Sequence, residues 1–256
     1  MTTTAIDPQA LRQYRPTPGE LKGRVILITG ASDGIGAALA REAGRHGARV
    51  ILIGRNVKKL EKVYDDIVSS GGPEPAIAQF DLEHAQGPDY DALTDKLEAE
   101  YGRLDGLVNN AGILGERSPI EYYDQVLWQR VLHVNLTAAF LMTQACMPLI
   151  RQSRDASIVF ASSSVGRRGK AFWGAYAVSK FGIEGLAQVL ADELENKKEI
   201  RVNCVNPGAT RTGMRQQAYP AEAPDTNPSP EGILGPYLFL LGPHSRGVSG
   251  LSLDCQ

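Results

Sequence analysis

Cysteine is scarce in this chain of 256 residues. The three present, Cys146, Cys204 and Cys255, are odd in number and far apart, which gives no disulfide framework. Histidine is scarce too, and the four residues, His46, His84, His133 and His244, show no metal-ligand spacing with each other or with cysteine. Neither sign of charge dominates. Lys and Arg total 27 against 29 Asp and Glu, a formal net charge of −2, which argues against nucleic acid or an anionic membrane surface as the main partner. No stretch of eighteen residues is apolar throughout, as a membrane-crossing helix would need. The opening MTTTAIDPQALRQYRPTPGE lacks the apolar core of a secretory signal and reads as a surface extension over residues 1–20. Together these absences predict a metal-free protein of the cytoplasm.

What is present is a rhythm. Short apolar runs at 24–29, 48–54, 75–82, 104–110, 156–163, 200–208 and 250–254 alternate with longer stretches of helical periodicity. The first of them, RVILIT, is β-branched and runs straight into glycines, the profile of a strand buried on both faces. Seven such strands linked by helices predict parallel pairing with right-handed crossovers, and so a doubly wound three-layer α/β fold of the Rossmann type with a seven-stranded parallel sheet. No break in composition divides the chain, so residues 21–256 form one expected domain. The helical patterns at 124–150 and 175–197 carry more apolar residues than one sheet-facing stripe requires. Either long loops cover the excess or a second copy does, and a homo-dimer or homo-tetramer through these helices is the favoured expectation.

TGASDGIG (29–36) stands where the first strand hands over to the first helix. Gly30, Gly34 and Gly36 allow a tight turn that brings helix N-terminal N–H groups against a phosphate, and the βαβ setting is the context such a motif needs. At the end of the second strand, where an NAD-specific site usually has an acid, the sequence reads IGRN. Gly54 leaves room for a 2′-phosphate and Arg55 can grip it in forked geometry, which favours NADP(H) over NAD(H). Asp33, if it pointed inward, would repel that phosphate.

FDL (80–82), NNAG (109–112), HVN (133–135) and NPGATRT (206–212) follow in order, with Ser163, Tyr176 and Lys180 in SSSVGRRGKAFWGAYAVSK. This ordered set resembles the short-chain dehydrogenase/reductase family over residues 22–253, and the wording around Tyr176 is similar to its YciK-type subgroup of bacterial oxidoreductases. The resemblance implies that Gly30, Ser32, Asp33, Gly34, Ile35 and Gly36 cradle the pyrophosphate and adenosine side. It places Arg55 and Asn56 by the ribose, and Asp81 and Leu82 by the adenine. It sets Asn110, Ala111 and Gly112 beneath the cofactor, and Pro207, Gly208, Thr210 and Thr212 at the nicotinamide. Asn135, Ser163, Tyr176 and Lys180 become the catalytic set, with Tyr176 and Lys180 also touching the cofactor.

The implied activity is hydride exchange between nicotinamide and a small carbonyl or alcohol substrate. Tyr176 and Lys180, four apart on a helix, share a face. An ordinary tyrosine titrates near 10, so a nearby ammonium is expected to favour the phenolate. Ser163 can donate to the substrate oxygen as negative charge grows there. Asn135 resembles the family residue whose backbone holds a water leading to the lysine; its own alternative is a helix kink. Two other readings predict no turnover, an NADPH-binding sensor and a scaffold recruited through the long helices. Three departures from the family pattern stand out. They are the extension, a short proline-rich stretch after NPGATRTGM in place of a longer lid, and an end, GVSGLSLDCQ, without the usual glycine pair. Arg167 and Arg168 read as part of a solvated basic loop, with no assigned role.

Overall fold

The computed structural model describes residues 7–256, so the first six residues of the extension lie outside the described residues. Seven strands form one all-parallel sheet in the order β3-β2-β1-β4-β5-β6-β7. They are β1 (Val25–Thr29), β2 (Arg49–Gly54), β3 (Ala76–Gln79), β4 (Gly106–Asn109), β5 (Ala156–Ala161), β6 (Ile200–Asn206) and β7 (Ser252–Asp254). The main crossover helices are α2 (Gly34–Arg45), α3 (Val57–Ser69), α4 (Gly87–Tyr101), the pair α5 (Gln125–Leu132) and α6 (Ala138–Arg151), and α7 (Gly174–Glu193). Two short helices, α8 (Gly213–Ala218) and α9 (Gly235–Leu241), lie between β6 and β7, and α1 (Pro8–Arg12) precedes the sheet. Among the described residues no helix is long and apolar enough to cross a membrane.

The apolar runs are explained by burial on both sides. Strand side chains alternate in direction, so Leu27, Ile51 and Ile53 enter the core beneath α4, α6 and α7. Ile26, Ile28, Val50 and Leu52 enter the opposite core with α2, α3 and α9. Each of these residues is fully buried, worth about 1.5–3 kcal/mol apiece. The extension also contributes: Leu11 is buried, and Tyr14 packs edge-on against Phe239 with ring centroids 5.4 Å apart.

Five strands begin within a residue of their expected start and β4 and β7 two residues later, yet most stop early. Phe80, Asn110, Ser162 and Pro207 lie beyond the ladder, because the chain leaves the sheet there to build a cleft. The apolar pattern at 124–150 is not one helix either. It breaks into α5, a π-helical turn at His133–Thr137, and α6. The inserted turn carries Asn135.

The opposite, N-terminal edge of the sheet is closed by charge. Asp155 accepts from Arg24 at 3.0 Å, Arg246 at 3.2 Å and the buried Arg201. Removing the carboxylate leaves the Arg201 guanidinium buried without its counter-charge, so Asp155→Ala should cost about 3–5 kcal/mol of stability. Urea denaturation checks this, and a loss below about 1 kcal/mol would show that the arginines find other partners.

Candidate active site

At the C-terminal edge, β1 sends the chain one way to α2 and β4 sends it the other, which opens a crevice between them. The turn after β1 is folded as tightly as its glycines permit. Gly30 has φ +68°, and a Cβ on Gly36 would stand 2.3 Å from the Gly30 carbonyl oxygen and 2.6 Å from the Asn110 amide nitrogen. Asn110 returns the contact by donating Nδ2–H to the Thr29 carbonyl at 3.1 Å. The Thr29 hydroxyl accepts from the backbone N–H groups of Asn110 and Ala111, both at 3.0 Å. The first amides of α2 are thus held at the crevice floor by the end of β4. A backbone cradle stripped of side chains at a helix N-terminus fits a pyrophosphate.

The crevice is a cavity of ≈420 Å³. Gly30, Ser32, Asp33, Gly34, Ile35, Arg55, Asn56, Asp81 and Leu82 line one end of it, and Asn110, Ala111, Gly112, Tyr176, Lys180, Pro207 and Thr212 the rest. Five residues named from the sequence do not line it. Gly36 lies beneath the turn it makes possible, and Gly208 and Thr210 sit on the loop after β6 against Gln256. Asn135 is buried behind Gly112, and Ser163 sits one residue beyond the lining Ser162.

At the ribose end, Arg55 reaches Glu83 at 3.2 Å and Asp81 at 3.8 Å. Glu83 is shared with Arg130 of α5 at 2.7 Å. Asp33 caps α2 by accepting from the Gly34 N–H at 2.7 Å and pairs with Lys59. The Lys59 ammonium holds its carboxyl below the usual range, so the expected repulsive charge is already partnered. Asp81 accepts from the Glu83 N–H at 3.1 Å and meets His84 at 2.9 Å. Burial would raise its carboxyl, but these partners hold it below the usual value.

At the other end, Asn135 performs a structural task the sequence does not reveal. Its side chain accepts from the Ile113 N–H at 2.8 Å and donates to the Ile113 carbonyl at 2.9 Å and to Ser179 Oγ at 3.0 Å. Ser179 in turn donates to the Tyr176 carbonyl at 2.7 Å. The kink expected here satisfies another segment's backbone, not its own. Ser179 was legible only as the residue one turn after Tyr176; Thr29 only as the first letter of its motif.

Tyr176 is 8% exposed and Lys180 4%. Lys180 donates from Nζ to the Ala161 carbonyl at 2.7 Å and stands 5.6 Å from the centre of the Tyr176 ring. Burial pushes the Tyr176 phenol up to about 12, with Ser163 beside it pulling the other way. The ammonium of Lys180 is lowered by burial to about 8. This corrects the expected direction for Tyr176. Desolvation dominates at the phenol, and the Lys180 ammonium is given to the Ala161 carbonyl.

The substrate side is closed by a short cover. Leu114, Val165, Trp173, Tyr176, Ala177 and Ala218 form one apolar cluster with Met214 and Tyr219. Arg117 lies over Trp173 at 5.4 Å and Tyr219 at 4.7 Å, and it donates to the Ala218 carbonyl at 2.9 Å. The proline-rich stretch thus completes the site through α8 and Tyr219 in place of a long lid. Neither Arg117 nor Tyr219 had any signal in the sequence. Of the basic loop, Trp173 packs inward and Phe172 outward at φ +70°. Arg167, far from solvated without purpose, pairs with Asp254 at 2.8 Å and Glu184 at 3.4 Å.

Comparison with known proteins follows the same outline. The model of the short chain dehydrogenase family matches residues 24–223. The uncharacterized oxidoreductase YciK of Escherichia coli (strain K12) is 46% identical over 243 residues, 95% of this chain and 96% of that protein. A short chain dehydrogenase from Pseudomonas syringae superposes with a TM-score of 0.93 at 53% identity, covering 95% of this chain and 98% of that one. One from Shigella flexneri 2a (strain 301), solved in complex with NADP, superposes with a TM-score of 0.91 at 45% identity, covering 94% and 100%. With the family model over residues 24–223 and relatives 45–53% identical over nearly its whole length, the chain belongs to the short-chain dehydrogenase/reductase family of oxidoreductases.

Proposed function

We propose that this protein is an NADP(H)-dependent oxidoreductase that exchanges hydride between nicotinamide and a carbonyl or alcohol carbon, with Tyr176 as general acid and base. The observation that carries it is continuity: one cavity runs from Arg55 past the glycine turn to Tyr176 and Lys180. When bound, the dinucleotide supplies the hydride. The chain's own residues do the rest. Tyr176, protonated at neutral pH, donates its phenolic proton to the oxygen that gains charge. Ser163 donates to the same oxygen, and Lys180 anchors the sugar next to the reacting ring. Trp173, Leu114 and Val165 pack around Tyr176 in one apolar cluster with Met214, which lines the cavity, a setting that favours a carbonyl flanked by hydrocarbon over a polyol. Residues 21–256 form the catalytic domain and 1–20 an extension, of which Leu11 and Tyr14 pack against α9. Free, buried cysteines suit a reducing cytoplasm.

NADPH is preferred in this reading because β2 ends on Gly54 and is followed by Arg55, with no acid at the strand's own end, and a relative carries NADP. Calorimetric titration should find NADPH bound more tightly than NADH, and Arg55→Ala should cut NADPH affinity about 10- to 100-fold with little effect on NADH. Equal wild-type affinities would refute the preference.

The two buried groups predict a pH profile. Lys180 carries its charge below about 8 and loses it as pH rises through that value, while Tyr176 stays protonated until about 12. With an apolar aldehyde or ketone from a broad panel, kcat/KM for reduction should be level near neutrality and fall above about pH 8. Tyr176→Phe should lose about 10²- to 10⁴-fold. A wild type with no turnover above Tyr176→Phe across the panel would favour a sensor.

We also propose a homo-dimer or homo-tetramer. Phe140 of α6 and Val178, Phe181 and Val189 of α7 are exposed apolar side chains on the two helices whose apolar content exceeds what the sheet covers. Light scattering should find an oligomer that Phe181→Glu converts to monomer; a monomeric wild type would rule the interface out.

A further inference from the structure

The nicotinamide-end loop is held from behind by the last strand. Gln256 donates from Nε2 to the Pro207 carbonyl at 2.7 Å and the Ala209 carbonyl at 2.9 Å, with Thr210 Oγ1 at 3.4 Å. The fit is close: a Cβ on Gly208, whose φ is +72°, would stand 2.8 Å from that same amide nitrogen. Two residues earlier, Asp254 accepts from Asn206 Nδ2 at 2.8 Å, and Asn206 Oδ1 accepts from the Gly208 N–H at 3.1 Å. Both ends of the turn 206–210 are therefore fixed by residues 254–256.

This strap is itself anchored under the catalytic helix. Arg167 donates to Asp254 at 2.8 Å and to Ser252 Oγ at 2.6 Å. Ser252 donates to Glu184 at 2.8 Å, and Glu184, buried one turn after Lys180, also accepts from Ser162. A polar chain thus joins Ser162, the neighbour of Ser163, through α7 and β7 to the loop that ends in Thr210.

We propose that Gln256, with Asp254 and Arg167 behind it, is a positioning residue that sets the 207–210 loop against the nicotinamide half of the cofactor. The inference rests on the NADP(H) reading above. Its consequence is selective, because the strap touches only the far end of the cleft and nothing at Arg55 or the glycine turn. It also gives Arg167 a function distinct from that of its exposed neighbour Arg168.

The test compares two ligands by calorimetry: NADPH, and 2′-phospho-ADP-ribose, which lacks the nicotinamide. Gln256→Ala, and Gln256→Glu, which turns a donor into an acceptor facing two carbonyls, should each weaken NADPH about tenfold. Both should leave 2′-phospho-ADP-ribose within twofold of wild type. Arg167→Ala should shift the same way, and Arg168→Ala should change neither ligand. Equal weakening of both ligands, or variants that fail to fold, would mean a general structural role and overturn the proposal. Unchanged NADPH affinity in a wild type that binds both would overturn the strap alone. A wild type that binds neither overturns the cofactor reading, and the strap with it.

Discussion

The side-chain amide of Asn135 is the joint on which the site depends. It is 1% exposed, and its three hydrogen bonds tie the loop after β4 to the helix that carries Tyr176 and Lys180. Without it, the half-buried N–H and carbonyl of Ile113 would lose the partner that fixes this loop at the cleft. The π turn at His133–Thr137 follows from the same constraint. A regular helix packs its side chains against a sheet at fixed spacing, and one extra residue in the turn alters that spacing locally. The floor of the cleft and its catalytic wall are thereby built to one tolerance.

That rigidity has an electrostatic consequence. Tyr176 and Lys180 are both buried, and burial shifts each toward its neutral form: the phenol upward, the ammonium downward. In the proposed reduction this would be the useful state of the tyrosine, a phenol that holds its proton until an oxygen with growing charge approaches. Burial lowers the Lys180 ammonium most, and Cys204 and Glu184, the latter one turn along α7, draw it part of the way back up. Glu184 therefore belongs to two networks, the field at Lys180 and the anchor of β7.

What could be read from the sequence divides along physical lines. A parallel strand covered on both faces is a continuous apolar run, so all seven strands and their order along the chain were legible from composition alone. Motif positions at strand ends were legible too, because glycine and asparagine there answer to local backbone geometry. Contacts between distant segments were not. Arg167 looked idle because Glu184, Ser252 and Asp254 lie 17, 85 and 87 positions away in the chain. The repulsion weighed for an inward-pointing Asp33 could not take Lys59 into account, which pairs with it from the next helix. The apolar helix at 124–150 hid its π turn because Val134 and Leu136 carry the hydrophobic pattern through it.

Arg55 is the residue whose present contacts bear most on cofactor choice. It is bound to Glu83 and Asp81, which at first sight takes it away from a phosphate. The pairs are weak ones. The Arg55 side chain is 54% exposed, and exposed ion pairs contribute about 0–1 kcal/mol. Glu83 would not be left alone if Arg55 swung away, because Arg130 holds it at 2.7 Å and 2.8 Å. Asp81 would keep His84 and the Glu83 N–H. Releasing Arg55 therefore costs little, whereas a forked grip on a dianionic phosphate gains charge-assisted bonds. In the proposed NADP(H) enzyme, Glu83 thus acts as a parking place for Arg55, and Arg130 makes that place easy to leave.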